Sequence, residues 1–268
     1  LNDIQNPYLT HGIWSEWLLL SFLIIAGMIY WTISKRIGFQ ILYLTILSLS
    51  FGFVITMYFP YLNTEDQLLP LTHPHIQASM TLFSFFIPLV QRKREVVLCL
   101  FPPMVISISY LFIQGSPVFS IVGGILIGGF ISYMFYRSLD WMGAMPEPYL
   151  FTFAIILPLF IAGLIFPDTA FLVLPGILLG VGIGVTSEQF KVRLSIKGSS
   201  VTTKLLSLMV GAFGLIMGYL IFIMLSISFP FMFLIIGTLA GLWISFIVPA
   251  LLVFMKIADQ QGKSREIF

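Results

Sequence analysis

The sequence predicts an all-α, polytopic membrane protein of about nine transmembrane helices. Three observations carry this. Hydrophobic residues make up 59% of the 268-residue chain and charged residues only 9%. The mean hydropathy is +1.04. Apolar runs of roughly 17 to 25 residues, the length a helix needs to cross a bilayer, recur from one end to the other. A water-soluble domain of this size needs far more charge to cover its surface.

Breaks at charged residues and at Pro or Gly clusters set the spans in order. The first, 17–33, stops before Lys35 and Arg36, and the second, 39–59, stops at Pro60. The third, 74–90, opens on Pro74 and ends ahead of Arg92, Lys93 and Arg94; the fourth, 96–113, follows Glu95 and ends at Gln114–Gly115. The fifth, 118–136, lies between Pro117 and Arg137, and the sixth, 150–166, between Pro148 and Pro167. The seventh, 170–185, ends before Glu188; the eighth, 205–225, follows Lys204; the ninth, 231–255, lies between Pro230 and Lys256. The third and seventh are short enough to be tilted or partly re-entrant. Pro102–Pro103 and Pro158 should kink their helices.

The basic residues then orient the chain. All 13 Lys and Arg fall on alternate loops, after the first, third, fifth, seventh and ninth spans. The positive-inside rule puts the N-terminus outside and the C-terminus in the cytoplasm. The outer face carries Asp3, Glu16, Glu65, Asp66 and Asp168, together with His11, His73 and His75, and no Lys or Arg. No Asp, Glu, Lys or Arg sits mid-span, which argues against a proton relay or a charged ion pathway. Residues 1–16 are polar and lack a basic n-region, so no cleavable signal peptide is expected. The opening Leu1 leaves a trimmed start or an unusual initiation codon.

Smaller patterns fill in the organisation. Cys99, the single cysteine, excludes an intramolecular disulfide and any Cys-based metal site. Gly176, Gly180 and Gly184, Gly214 and Gly218, Gly237 and Gly241, and Gly124 and Gly128 recur at intervals of four. Such spacing lets helix backbones approach closely, within the chain or across a dimer. Trp14, Trp17, Trp31, Trp141 and Tyr58 suit the membrane interfaces, whereas Trp243 is mid-span and should pack between helices with its indole N–H bonded. In the inner loop 186–204, Phe190, Val192, Leu194 and Ile196 alternate with polar residues. That period of two suggests a short strand or extended arm, whose cations either touch anionic head groups or serve only to set topology.

The stretch "LPLTHPHIQASMTLFSF", 69–85, places two histidines at the mouth of a span. "FGFVITMYFP" precedes it, "SISYLFIQGSPVFSIVGG" follows, and "KVRLSIKGSS" stands in the inner loop. In order and spacing this chain resembles the type 2 phosphatidic acid phosphatase superfamily, membrane enzymes that remove phosphate from lipids such as phosphatidic acid or undecaprenyl diphosphate. The three segments occupy the places of Lys-x6-Arg-Pro, Pro-Ser-Gly-His and Ser-Arg-x5-His-x3-Asp. The inner loop is similar to the "VRF-x-x-KGS" loop of bacterial members with a helical C-terminal region. The resemblance implies a five-helix core at 1–149, with an N-terminal interfacial segment, and a four-helix extension at 150–268.

Carried across residue by residue, most of the chemistry is absent. Pro60 matches the first motif's proline, but its lysine falls on Gly52 and its arginine on Phe59. Thr72, His73 and Pro74 occupy the Pro-Ser-Gly positions, and His75 matches the motif histidine. The third motif's arginine falls on Ile108, its nucleophilic histidine on Gln114, and its aspartate near Ser120, with about two extra residues between. The implied reaction is in-line attack by histidine on phosphorus, with a second histidine protonating the leaving oxygen and cations holding the charge. Gln114 has no nucleophilic imine nitrogen, and a phosphate dianion outside would meet carboxylates instead of Lys or Arg.

The expectation is therefore a non-hydrolytic relative, in a bacterial cytoplasmic membrane, that binds lipid or protein. Its degenerate site would draw on Thr72, His73, His75, Gln114 and Ser120. Two alternatives stand beside it: an active, metal-independent lipid phosphate phosphatase with a rebuilt site, and a lipid or small-molecule transporter with Gly- and Pro-broken helices. His75 is then either an acid or polar ligand contact, or a helix-entry residue. A zinc pair from His73 and His75 would need two further ligands, such as Glu65 or Asp66. No cofactor, metal or nucleic acid is expected. The expected partners are membrane lipids, including a lipid phosphate or an isoprenoid lipid, and a membrane protein.

Overall fold

In hydrocarbon every backbone polar group must be satisfied within its own segment, so apolar runs fold as helix. The computed structural model describes residues 13–59, 62–64, 67–143, 147–196, 200–225, 229 and 231–260. Its helices are α1 Ile13–Thr32, α2 Lys35–Tyr58, α3 Pro74–Ser84, α4 Lys93–Ile113, α5 Val118–Gly143, α6 Glu147–Ile165, α7 Val173–Ser187, α8 Val201–Leu225, α9 Met232–Leu242 and α10 Val248–Phe254. A π-helical turn, Trp243–Ile247, joins α9 to α10. A small antiparallel hairpin, β1 Leu62–Thr64 and β2 Gln67–Leu69, pairs Leu62 with Leu69.

Six helical stretches are long and apolar enough to cross a membrane: Lys35–Tyr58, Lys93–Ile113, Val118–Ser138, Thr169–Val192, Val201–Met224 and Met232–Phe254. Trp17–Thr32 and Phe151–Ile165 are shorter apolar helices. The chain is an all-α membrane protein. The expected third span is only 11 residues of helix, about 16 Å against roughly 30 Å of hydrocarbon. Pro88 offers no N–H to the carbonyl one turn back, and the chain tightens into a 3₁₀ turn at Ile87–Leu89.

The seventh span is longer than the sequence suggested. Asp168 caps a leading 3₁₀ turn, Thr169–Leu172, by accepting from Ala170 N at 3.2 Å. A π-helical turn, Glu188–Val192, carries the helix beyond its expected end. Glu188 reads as a loop residue because it is charged, yet it is buried and paired with Lys35. The expected inner strand is correspondingly shorter. Phe190 and Val192 are helical, and among the described residues of the arm extended pairing is confined to the Leu194–Gln260 bridge, with Ser195 N donating to Asp259 O at 2.8 Å.

Glycine stripes knit the second half together. A Cβ on Gly176 or Gly180 would collide with Leu234 O or Thr238 O, and one on Gly237 or Gly241 with Val173 O or Ile177 O. Along α7 and α9 these contacts advance in the same direction, so the two helices run parallel, backbone to backbone. The stripes therefore serve packing within the chain. The π-helical turn leaves carbonyls for α1: Tyr30 Oη donates to Ser245 O at 3.2 Å and Trp31 Nε1 to Ile244 O at 2.8 Å. Trp31 was expected at an interface but is 2% exposed, because its ring lies over Gly211. Trp243 packs over Gly214 as expected, its indole donating to Gly211 O at 3.1 Å. Trp17 and Tyr58 are exposed; the side chains of Trp14 and Trp141 lie outside the described residues.

Contacts between helix ends fix two opposite faces. Lys35 meets Glu188 at one, and Thr203 at the start of α8 bonds Ile257 O beyond α10. At the other, Tyr58 bonds Leu164 O and Phe53 stacks on Phe171 at 3.9 Å. Each described Lys and Arg belongs to a helix end or loop on the first face.

Candidate functional site

The second face holds the histidines. α3 begins beside Gly52, where a Cβ would lie 2.9 Å from Pro74 Cα. Gly52 is six residues before the end of α2, so the start of α3 sits about 9 Å below that end at 1.5 Å per residue. The segment 70–73 thus descends between helices, and its backbone needs partners there. Ser120 supplies them: its carbonyl accepts from His73 N at 3.2 Å, and its hydroxyl donates to Pro70 O. Gly123 and Gly124 leave room on α5 for the Leu71 and His73 carbonyls.

Below this entry runs a bonded polar ladder. Thr72 Oγ1 donates to Gln77 Oε1 at 2.8 Å, and Gln77 Nε2 donates to Ser48 O at 2.8 Å. Ser48 and Thr81 share a hydroxyl contact of 2.7 Å, and Thr81 Oγ1 also lies 3.0 Å from Gly128 O. All four side chains are buried. In an apolar setting such groups carry a desolvation cost unless bonded, and here they join α2, α3 and α5.

Above it lies an aromatic row. Ring centroids are 4.2 Å apart for His73 and Tyr110, 5.7 Å for His73 and His75, and 6.2 Å for His75 and Tyr110. Phe53 is 6.2 Å from His75 and stacks on Phe171. The row therefore connects the helix-entry loop with α4, α2 and the turn leading into α7. His73 is buried and His75 half-buried.

Thr72, His73 and Ser120 come together in the 70–73 segment and the α5 turn it bonds. Gln114 is an exposed C-cap of α4, and Tyr110, one turn earlier, is the α4 side chain that meets the imidazoles. Tyr110 carries no motif role, so only its spacing from Gln114 hinted at it. Ile108 and Phe59 are exposed; Pro60, Glu65, Asp66 and His11 lie outside the described residues. Among the described residues no three His, Cys, Asp or Glu side chains are grouped to hold a metal.

These features define a helical membrane scaffold with a packed row of His73, His75 and Tyr110 at one face. A family model described as "PAP2 superfamily phosphatase, transmembrane extension" matches residues 172–260, about a third of the chain. The match spans α7 to α10 and the inner arm; residues 1–171 lie outside it. No curated protein and no solved structure matches the chain.

Proposed function

We propose that this phosphatase-like membrane protein is a non-hydrolytic member of its superfamily that acts by binding a membrane lipid or a protein at the His73–His75–Tyr110 entry. The fate of the catalytic positions carries the reading. The lysine position, Gly52, is packed against Pro74. The two arginine positions hold exposed Phe59 and Ile108, and the nucleophile position holds exposed Gln114. The described cations belong to the opposite face, leaving the entry without the charge clamp that phosphoryl transfer requires.

Nine traversals with the N-terminus outside, in a bacterial cytoplasmic membrane, remain part of this proposal. Antiparallel α2 and α3, bonded at Ser48–Thr81, and the clustering of described Lys and Arg at one face support it. Cysteine labelling at position 65 from outside and at position 198 from inside is the expected pattern; reversed accessibility overturns the topology. The binding reading is tested by mass spectrometry of lipids and proteins that co-purify with the full chain. A lipid class enriched over the bulk membrane, or a stoichiometric protein, that is lost in Tyr110→Ala supports it. Identical co-purification by both forms speaks against it.

A further inference from the structure

The face opposite the histidines carries a second feature. Among the described residues only two other than glycine have positive φ: Arg193 at 50° and Lys256 at 57°. Both are cations and both are exposed. Arg193 closes the π-helical turn that ends α7, and Lys256 follows α10. The left-handed region disfavours side chains with a Cβ and favours glycine, yet Arg and Lys stand here.

Both positions flank a clasp between the inner arm and the C-terminal segment. Leu194 bridges Gln260, Ser195 N donates to Asp259 O at 2.8 Å, and Gln260 Nε2 donates to Lys191 O at 3.3 Å. Thr203 Oγ1 ties Ile257 O to the start of α8 at 3.2 Å. The clasp holds the backbone of both cations in place. Lys35 on this face is occupied by Glu188, whereas no described carboxylate pairs with Lys191, Arg193 or Lys256 at salt-bridge distance. Part of the placement is explained by a helix C-terminus favouring a cation. That does not account for three exposed cations gathered around one clasp at the ends of two apolar helical stretches.

We propose that the clasp presents Lys191, Arg193 and Lys256 as a docking surface for the anionic phospholipid head groups of the leaflet it faces. A negatively charged leaflet attracts basic segments at its surface, and cations already fixed in place lose less freedom on binding than a flexible tail. The surface is independent of the histidine entry.

Titrating the purified full chain in detergent with phosphatidylglycerol, phosphatidylcholine and inorganic phosphate tests this. Phosphatidylglycerol should bind preferentially and weaken with salt. Its affinity should fall about fivefold for each cation removed and about thirtyfold in Arg193→Gly/Lys256→Gly. Without lipid that variant should be as stable as the parent or more so, because glycine relaxes both left-handed positions. Should it fail to fold, Arg193→Asn/Lys256→Asn serves instead, since asparagine tolerates the same region. Equal binding of the two lipids, or unchanged phosphatidylglycerol binding in the variants, overturns the proposal. So does inorganic phosphate binding as tightly as the lipid, which would mark a free-anion site.

Discussion

Lys35 Nζ lies 3.0 Å from Glu188 Oε1, joining the start of α2 to the π-helical end of α7. Glu188 Oε1 also accepts from Leu194 N at 2.7 Å, so one buried carboxylate holds a helix start and the bridging residue of the clasp. Breaking a buried pair from one side leaves an uncompensated charge. Lys35→Met should therefore cost about 3–5 kcal/mol, and adding Glu188→Gln, which removes the charge but keeps an acceptor for Leu194 N, should restore part of it. Denaturant titration in mixed micelles reads both. A double variant no better than Lys35→Met would show that the carboxylate is not the burden.

The close approach of α2 and α3 predicts a cost for the smallest side chain. Gly52→Ala places a methyl against Pro74 Cα and should destabilise by about 1–3 kcal/mol through overpacking. Gly218, with nothing within 4 Å of its Cβ position, is the control and should accept alanine without loss. Equal effects at the two positions would contradict the packing described.

Trp17 and Trp31, both on α1, separate by environment. Trp31→Ala removes a buried ring and an indole bond and should cost about 3–5 kcal/mol. Trp17→Ala, at an exposed position facing Tyr219 at 5.4 Å, should stay within about 0.5 kcal/mol. The same micelle titrations distinguish them.

This contrast shows what was legible in the sequence. Helix class, the apolar segments and the glycine stripes could be read from hydropathy and spacing, because lipid imposes those patterns directly. An aromatic near a basic loop looks interfacial, but tertiary contacts with Gly211 and with the π-helical turn bury Trp31. Glu188 looked like a loop residue because its partner, Lys35, is 153 positions away in sequence. At the histidine entry, motif order identified Thr72, His73, His75 and Ser120. Tyr110 and Gln77 were missed because neither belongs to a motif and both are defined by contacts between helices.

The polar ladder predicts modest, coupled effects. Gln77→Leu should cost about 0.6–1.7 kcal/mol, the range for hydrogen bonds between membrane helices. Thr72 then loses its acceptor, so Gln77→Leu and Thr72→Val should be non-additive. A double-mutant cycle by denaturant titration reads the coupling; strict additivity would mean that the Thr72–Gln77 bond contributes nothing to stability.

Release of inorganic phosphate tests the central claim most directly. The full chain, reconstituted in liposomes, is supplied with phosphatidic acid or undecaprenyl diphosphate, and the His75→Ala form is run beside it. Loss of a nucleophile or of a preorganised charge clamp removes orders of magnitude from the rate of such a reaction. The expected result is release at the protein-free background from both forms. Robust turnover by the parent that His75→Ala abolishes would contradict the non-hydrolytic reading and establish a working site at the histidine entry.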